Sequence, residues 1–214
     1  MTDILLIRHG ETDWNVDKRL QGHIDIGLNE AGQRQVLALG EALAGEGIDA
    51  VFASDLQRAR DTAQAVAGAA GLAVQIDAGL RERCYGGFEG LRHTEIEARY
   101  PEAYRQWKAR EPDFRYPAGE RIAETMREFY ERSVAAVQRV LASGRYRKVA
   151  IVTHGGVLEC VHHWASQTSF AQPRTFDIFN ASVNRLHWDG ERAHIRSWGE
   201  IGHLQRETLD EVDR

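Results

Sequence analysis

The sequence predicts an α/β protein: a single-domain, three-layer sandwich whose mostly parallel sheet is flanked by helices on both faces. Residues 4–7 are a short, wholly apolar run, and residues 149–153 repeat the arrangement with a threonine at the end; such runs are typical of strands buried in a parallel sheet. Between them, strand-like and helix-like patterns alternate, and no repeat or low-complexity block divides the 214 residues. A chain of this length can bury one substantial core, so we expect one domain.

Amphipathic patterns predict the main helices. Asn29 can cap the first, whose apolar positions 36, 39, 40 and 43 share one face and which should end near Gly45 or Gly47. A strand over residues 50–53 should precede a second helix over residues 56–70. The longest helix is predicted over residues 121–141, with Ile122 and Met126 on its buried face.

Two patterns close the chain. Residues 183–188 and 193–198, joined by Asp189 and Gly190, predict a β-hairpin at the sheet edge. Residues 207–214 are acidic and aperiodic, so we expect a solvated, frayed tail there.

Composition narrows the class of partner and the compartment. A formal net charge of -5 disfavours nucleic-acid binding, which needs a basic face. No apolar stretch approaches the length of a membrane span, and the first one is too short for a signal peptide. Cys84 and Cys160 are widely spaced, which suggests two reduced side chains. We therefore expect a cytoplasmic protein without a membrane partner.

Two histidines directly follow predicted strands, and each precedes a glycine. His9 lies in Arg8-His9-Gly10, and His154 lies in His154-Gly155-Gly156. One histidine after a strand is more often structural than catalytic, but the loops after parallel strands form the ligand sites of α/β folds. Glycine lets the backbone approach a ligand closely. The pair therefore predicts one shared site.

Three further segments carry polar side chains that are candidates for a binding or catalytic role. Asn15, Gln21 and Gly22 lie between the first histidine and the first long helix. Arg58 lies in the first turn of a predicted helix, where the macrodipole disfavours a cation, so that a bound anion would compensate it. Glu82 stands among arginines and is followed by Gly86-Gly87. Taken alone, each segment could equally be ordinary surface.

Together these motifs resemble the histidine phosphatase superfamily, the group that includes the cofactor-dependent phosphoglycerate mutases. The resemblance extends from Leu5 to about Trp198 and includes Pro117-Ala118-Gly119-Glu120, although Arg121 replaces the usual serine. It implies a nucleophilic histidine, a proton donor and a set of groups that bind the phosphoryl oxygens. By position these are His9 as nucleophile, Glu82 as donor, and Arg8, Asn15, Gln21, Gly22, Arg58, His154 and Gly155 as binding residues.

This resemblance implies a phosphomonoester hydrolase that works through phosphohistidine on a small phosphorylated metabolite. Positioned arginines stabilise the charge that spreads over the phosphoryl oxygens, so neither a metal nor a cofactor is expected. For His9 to attack, one ring nitrogen must be neutral and accessible, and the other should donate to a backbone carbonyl. Candidate substrates include phosphoglycerate-like metabolites, sugar phosphates, α-ribazole phosphate and phosphorylated side chains.

Three alternatives stay open at this point. The first is a phosphoglycerate mutase, which the short segment between Glu82 and Pro117 and the glycine at 156, where mutases commonly have asparagine, disfavour. The second is a non-enzymatic phosphate-binding module, which the complete set of catalytic residue types disfavours. The third is a non-haem iron site of two histidines and Glu82, which neighbouring arginines would destabilise.

Residues 83–120 should form a helical cover over the active site. The cover contains a basic segment with interleaved aromatic residues, which could equally be a solvated helix face. Our hypothesis is that Arg115 contacts a second anionic group of the substrate. The oligomeric state is left open, with a dimer among the options.

Overall fold

The structure is a computed structural model and describes residues 1–204, so the tail predicted at 207–214 lies outside the described residues. Within this range, six strands form one sheet: β1 (Thr2–Arg8), β2 (Ala50–Ala53), β3 (Val74–Ile76), β4 (Lys148–Thr153), β5 (Val183–Trp188) and β6 (Ala193–Glu200). Their order across the sheet is β3-β2-β4-β1-β5-β6. Strands β1 to β4 run parallel, whereas β5 and β6 are antiparallel to their neighbours.

In the described part of the chain, seven α-helices accompany the sheet, which confirms the predicted α/β class. They are α1 (Asp13–Val16), α2 (Glu30–Leu43), α3 (Gln57–Ala70), α4 (His93–Arg99), α5 (Pro101–Lys108), α6 (Met126–Ala142) and α7 (Gly155–Ser166). Short 3₁₀ turns at Ala78–Leu80 and Gly86–Phe88 lie on either side of Glu82. No helix within residues 1–204 combines the length and the apolar character needed to cross a membrane.

Each face of the sheet is covered by a pair of helices, because side chains of a strand alternate between faces. Ile4 and Leu6 of β1 pack into one buried cluster with residues of α6 and α7, whereas Leu5 and Ile7 pack into another with α2 and α3. The central strands are therefore buried on both sides. This explains why their sequences are continuous apolar runs.

A third apolar cluster lies in the segment predicted to cover the site. Tyr85, Phe88, Ile96 and Trp107 are buried in it, and residues of α4 and α5 supply part of its wall. Phe88 and Tyr116 stack with ring centroids 4.7 Å apart. The Gly86-Gly87 segment contacts the Pro117-Ala118-Gly119-Glu120 segment here, because the backbone N–H of Gly87 donates to the Pro117 carbonyl at 2.7 Å.

The helix predicted over residues 121–141 begins later than expected. Thr125 caps it and forms a capping box with Glu128, so that α6 starts at Met126. Ile122 consequently lies before the helix and is 73% exposed, which corrects its prediction as a core residue. Periodicity alone extended the helix across a residue, Thr125, whose side chain favours the helix terminus.

Other boundaries follow the predictions. Asn29 caps α2 by accepting from Gly32 N–H at 2.8 Å, and Leu56 immediately precedes α3. The hairpin of β5 and β6 is present, with β6 at the sheet edge. Strand β3 was not predicted, because its three residues lie at the opposite edge, largely exposed, and are too few to establish a period of two.

Candidate active site

The sheet brings His9 and His154 side by side. Strands β1 and β4 are parallel neighbours, and their last residues, Arg8 and Thr153, pair in register. The residue that follows each strand is a histidine, so both histidines lie at the same edge of the sheet. The imidazole centroids are 5.2 Å apart. Both histidines are buried, with exposed fractions of 3% and 0%. Two residues separated by 145 positions in the chain therefore share one site.

The His9 imidazole is fixed by its neighbour's backbone. Its Nδ1 lies 2.7 Å from the carbonyl oxygen of Gly10, which can only accept, so Nδ1 carries the proton and Nε2 has the lone pair. Burial lowers the pKa of His9 well below 6.5, and the charges of Arg58 and Arg8 lower it further. The ring is therefore neutral at pH 7.

His154 caps the N-terminus of α7 through its backbone. Within the described chain, neither of its ring nitrogens makes a hydrogen bond. Burial is the largest cause that lowers its pKa well below 6.5, followed by the charge of Arg58. His154 is thus neutral at pH 7.

These shifts make the free energy of unfolding depend on pH. Below about pH 6.5 the unfolded chain protonates both histidines while the folded chain does not, so stability should fall as the pH drops through that range. Ring-carbon NMR of the free protein should show His9 and His154 still neutral at pH 6. A titration midpoint at or above pH 6.5 for either ring would contradict this expectation.

Arg58 is completely buried and points at the pocket loop. It is the second residue of α3, and its guanidinium donates to the carbonyls of Gly22 at 2.8 Å and Ile24 at 3.1 Å. Gly22 has a φ of +51°, and a Cβ there would overlap the carboxylate of Glu89. The left-handed backbone and the close approach of Glu89 therefore both favour a glycine at this point of the loop.

Arg8 is also fully buried. Its Nη1 donates to the carbonyl of Ile178 at 2.7 Å, which anchors the guanidinium from the loop that precedes β5. The same loop contacts His9, because the Asn180 side-chain amide donates to the His9 carbonyl at 3.1 Å. A segment without periodic pattern thus orients the first motif, and sequence analysis had no signal for it.

A small cavity of about 20 Å³ lies between these residues. A volume of this size holds on the order of one or two water molecules, so only a small group of a ligand fits there and not a whole metabolite. The arginines give it a positive character, which suits a phosphoryl dianion. It is lined by Arg8, His9, Asn15, Arg19, Leu20, Gln21, Gly22, Arg58, Glu82 and Tyr85.

Both predicted amide residues line this cavity. The Asn15 oxygen accepts from Thr12 N–H at 3.1 Å, as part of a capping box for α1, which leaves its NH₂ group as the donor that can serve a ligand. Gln21 is 8% exposed. Gly155 is the first residue of α7, so its backbone N–H belongs to the unpaired first turn of a helix.

Glu82 also lines this cavity. Its Oε1 accepts the backbone N–H of Arg83 at 2.7 Å, and its Oε2 accepts that of Gly156 at 3.0 Å. A Cβ at position 156 would overlap the Glu82 carboxylate and approach the Phe129 ring to 3.0 Å. A side chain here, such as the asparagine common in mutases, would therefore make the end of the Glu82 side chain and the Phe129 ring shift.

A second cavity of about 60 Å³ adjoins the first and shares Tyr85 with it. Its walls are mainly aromatic and apolar, but they contain an ion pair between Arg110 and Glu159 at 2.5 Å. The lining residues are Arg83, Tyr85, Trp107, Arg110, Met126, Phe129, Gly156, Glu159, Cys160, His163 and Phe170.

The structure does not bring Arg115 to either cavity, which corrects the hypothesis that it reads the substrate. Its guanidinium donates to the Ala123 carbonyl and pairs with Glu128 at 2.5 Å, and the side chain is 43% exposed. The basic segment does reach the second cavity, but through Arg110. Arg115 is the arginine nearest to Pro117-Ala118-Gly119-Glu120 in the sequence, but the fold turns its side chain toward α6.

Within residues 1–204, no three His, Cys, Asp or Glu side chains gather closely enough to hold a metal ion. His9, His154 and Glu82 thus do not form the two-histidine, one-carboxylate group of the iron alternative. Cys84 and Cys160 are both buried free thiols. Burial raises the pKa of Cys84 to about 11, which makes it a poor nucleophile at neutral pH.

A buried, positively charged pocket with a neutral histidine at the end of β1 defines a phosphate-binding α/β protein. Residues 4–201 match the family model of the histidine phosphatase superfamily, branch 1. The chain therefore belongs to the histidine phosphatase superfamily.

Three relatives illustrate this membership. A metal-independent phosphoserine phosphatase of Arabidopsis thaliana is 36% identical over 95% of this chain and 84% of its own length. A probable phosphoglycerate mutase, GpmB, of Klebsiella pneumoniae is 33% identical over the full length of both chains. A mycobacterial glucosyl-3-phosphoglycerate phosphatase solved with VO₃ superposes with a TM-score of 0.79, at 30% identity over 94% of this chain and 100% of its own. With phosphatases among its relatives, the chain is an enzyme of phosphatase type.

Proposed function

We propose that this enzyme hydrolyses a small phosphomonoester through a phosphohistidine on His9. The observation that carries the proposal is the Nδ1 contact of His9 with the Gly10 carbonyl, which leaves a neutral Nε2 in a pocket with two buried arginines. A nucleophilic nitrogen and fixed cations are what transfer of a phosphoryl group requires. The phosphoserine phosphatase and glucosyl-3-phosphoglycerate phosphatase among its relatives support the hydrolytic outcome.

In the first step, Nε2 of His9 attacks phosphorus and the bond to the substrate oxygen breaks. Arg8 and Arg58 grip the phosphoryl oxygens, and the amides of Asn15 and Gln21 add neutral donors. The bound dianion also favours protonation of His154, since an anion raises the pKa of an adjacent imidazole. Glu82 gives a proton to the departing alkoxide.

In the second step, water attacks the phosphohistidine. Glu82, now ionised, removes a proton from this water, and phosphate and neutral His9 are regenerated. One carboxyl group thus serves both half-reactions. The arginines supply the positive charge, so the proposed cycle needs neither a metal nor a cofactor.

The second candidate is a phosphoglycerate mutase, which the relationship to the probable mutase favours. A mutase must return the phosphoryl group to another hydroxyl before water reaches it. The glycine at 156 and the short cover argue for hydrolysis instead. Incubation with 3-phosphoglycerate and a trace of 2,3-bisphosphoglycerate, which would phosphorylate the histidine of a mutase, separates the two: a phosphatase releases inorganic phosphate, whereas a mutase forms 2-phosphoglycerate without net release. Failure to turn over any phosphomonoester would favour a binding module.

We place the substrate's alcohol portion in the second cavity, beside Glu82. Arg83 lines this cavity, is 4% exposed and donates to the Tyr116 hydroxyl and the Glu124 carbonyl. Among the described residues, no carboxylate pairs with its guanidinium. Because a buried charge without a counter-ion is costly, a carboxylate or second phosphate of the substrate would stabilise it.

This assignment predicts an unequal effect of two arginine substitutions. Arg83→Met should raise KM for doubly anionic substrates by a factor that corresponds to about 1.5–3 kcal/mol of lost charge-assisted bonding. It should change KM for an aryl phosphate with a neutral tail only slightly. Arg115→Ala is the matched control and should leave both unchanged. If Arg83→Met raised KM equally for both substrates, Arg83 would not bind the second anionic group.

The localisation of the enzyme and the size of its substrate are proposals of the same kind. Two buried free cysteines suit a reducing compartment, so we propose that the enzyme acts in the cytoplasm. The net charge of -5 supports a small phosphorylated substrate rather than a nucleic acid.

A further inference from the structure

The backbone that carries Glu82 is held by one side chain of α6. Nη1 of Arg132 donates to the carbonyls of Gly79 at 2.9 Å and Arg81 at 3.0 Å, and Nη2 donates to the Glu82 carbonyl at 3.1 Å. Three carbonyls within four consecutive residues thus accept from a single guanidinium. Because the guanidinium is planar and rigid, it constrains the path of this loop.

Glu124 completes the arrangement on the other side of Glu82. It accepts from Nε and Nη2 of Arg132, both at 2.7 Å, in a bidentate ion pair. Its Oε2 also accepts the backbone N–H of Cys84 at 2.9 Å. Burial raises the pKa of Glu124, but the hydrogen bonds and charge of Arg132 outweigh this and lower it. The Arg132–Glu124 pair therefore holds the chain both before and after Glu82.

The position of the Glu82 carboxyl group depends on this backbone. The contacts described above for its carboxylate oxygens are with the N–H groups of Arg83, in the same loop, and of Gly156, on α7. If the loop shifted, the carboxyl would move relative to the substrate oxygen. Proton transfer is sensitive to such displacement, because a shift of about 1 Å can cost about a hundredfold in rate.

We propose that Arg132 is a positioning residue for proton transfer: by holding the carbonyls of the 79–82 loop, it keeps Glu82 at the leaving-group oxygen. This inference rests on the proposed role of Glu82. It separates the two functions of the site, since Arg132 serves the proton donor while Arg8 and Arg58 serve the phosphoryl group. A purely structural role would instead lower activity toward every substrate alike.

The test compares an alkyl phosphate, whose leaving group needs a proton, with an aryl phosphate, whose leaving group does not. Arg132→Lys keeps the positive charge beside Glu124 but loses the planar guanidinium that donates to several carbonyls at once. The double variant Arg132→Met with Glu124→Gln removes both charges, so that no buried carboxylate is left unpaired. Arg139→Met is the matched control, because Arg139 lies on the same helix and pairs with Asp77 at 2.9 Å on the surface.

We expect both Arg132 variants to lose about 10- to 100-fold in kcat for the alkyl phosphate, with KM nearly unchanged and the aryl phosphate affected less than about threefold. Arg139→Met should behave as wild type. Equal losses on both substrates, recovery of alkyl turnover in the charge-free double variant, or failure of Arg132→Lys to fold would each overturn the inference. Wild-type phosphoenzyme formation tests the proposed function separately, without reference to the alkyl-to-aryl ratio.

Discussion

Replacing His9 by alanine should reduce kcat by more than about a hundredfold while leaving the fold intact. The reason is that, among the described residues that line this cavity, His9 alone brings an imidazole nitrogen with a free lone pair. Steady-state kinetics on an aryl phosphate measures the effect. His9 occupies a buried pocket rather than the apolar core, so the thermal unfolding midpoint should change little.

The matched control for this substitution is His194→Ala. His194 is exposed and pairs with Asp189 in the β5–β6 turn, far along the sheet from the cavity. It should retain wild-type kinetics. A His9→Ala enzyme with more than about one hundredth of wild-type kcat would exclude the covalent route.

Glu82→Gln should lower turnover of alkyl phosphates by about 10²- to 10⁴-fold, which is the usual contribution of a general acid and base. Glutamine keeps the size of the side chain and can still accept from Gly156, but it cannot donate a carboxylic proton. Aryl phosphates should suffer less, because their leaving groups depart without protonation. The ratio of kcat values on the two substrates is the quantity to measure.

The control for Glu82→Gln is Glu131→Gln, because Glu131 is an exposed residue of α6. It should leave the turnover of both substrates unchanged. If Glu82→Gln slowed both substrates to the same extent, Glu82 would act on something other than the leaving group. The same outcome would also remove the basis for the role of Arg132.

The positions of the two histidines could be predicted because the physics behind them is local and topological. An apolar run marks a buried strand, parallel neighbours end at one edge, and the residues that follow must meet there. Arg58 was found by a similar argument, since a cation in the first turn of a helix is unfavourable without an anion. These inferences need no knowledge of side-chain packing.

The remaining parts of the site depend on contacts between distant segments. Ile178 and Asn180 orient Arg8 and His9 from a loop that has no periodic pattern. Arg115 and Arg110 look alike in the sequence, and only the packing of the cover against α6 and α7 decides which one lines a cavity. The same holds for Arg132, whose role depends on three backbone carbonyls rather than on any motif.

The covalent intermediate is the central claim, and trapping it is the most direct test. The enzyme would be mixed rapidly with a phosphomonoester labelled on phosphorus, quenched in alkali and digested. We predict acid-labile, base-stable phosphate on the peptide that contains His9, formed and lost at rates that account for turnover. Full turnover with no label on the protein at any time, or label on a different residue, would contradict the account.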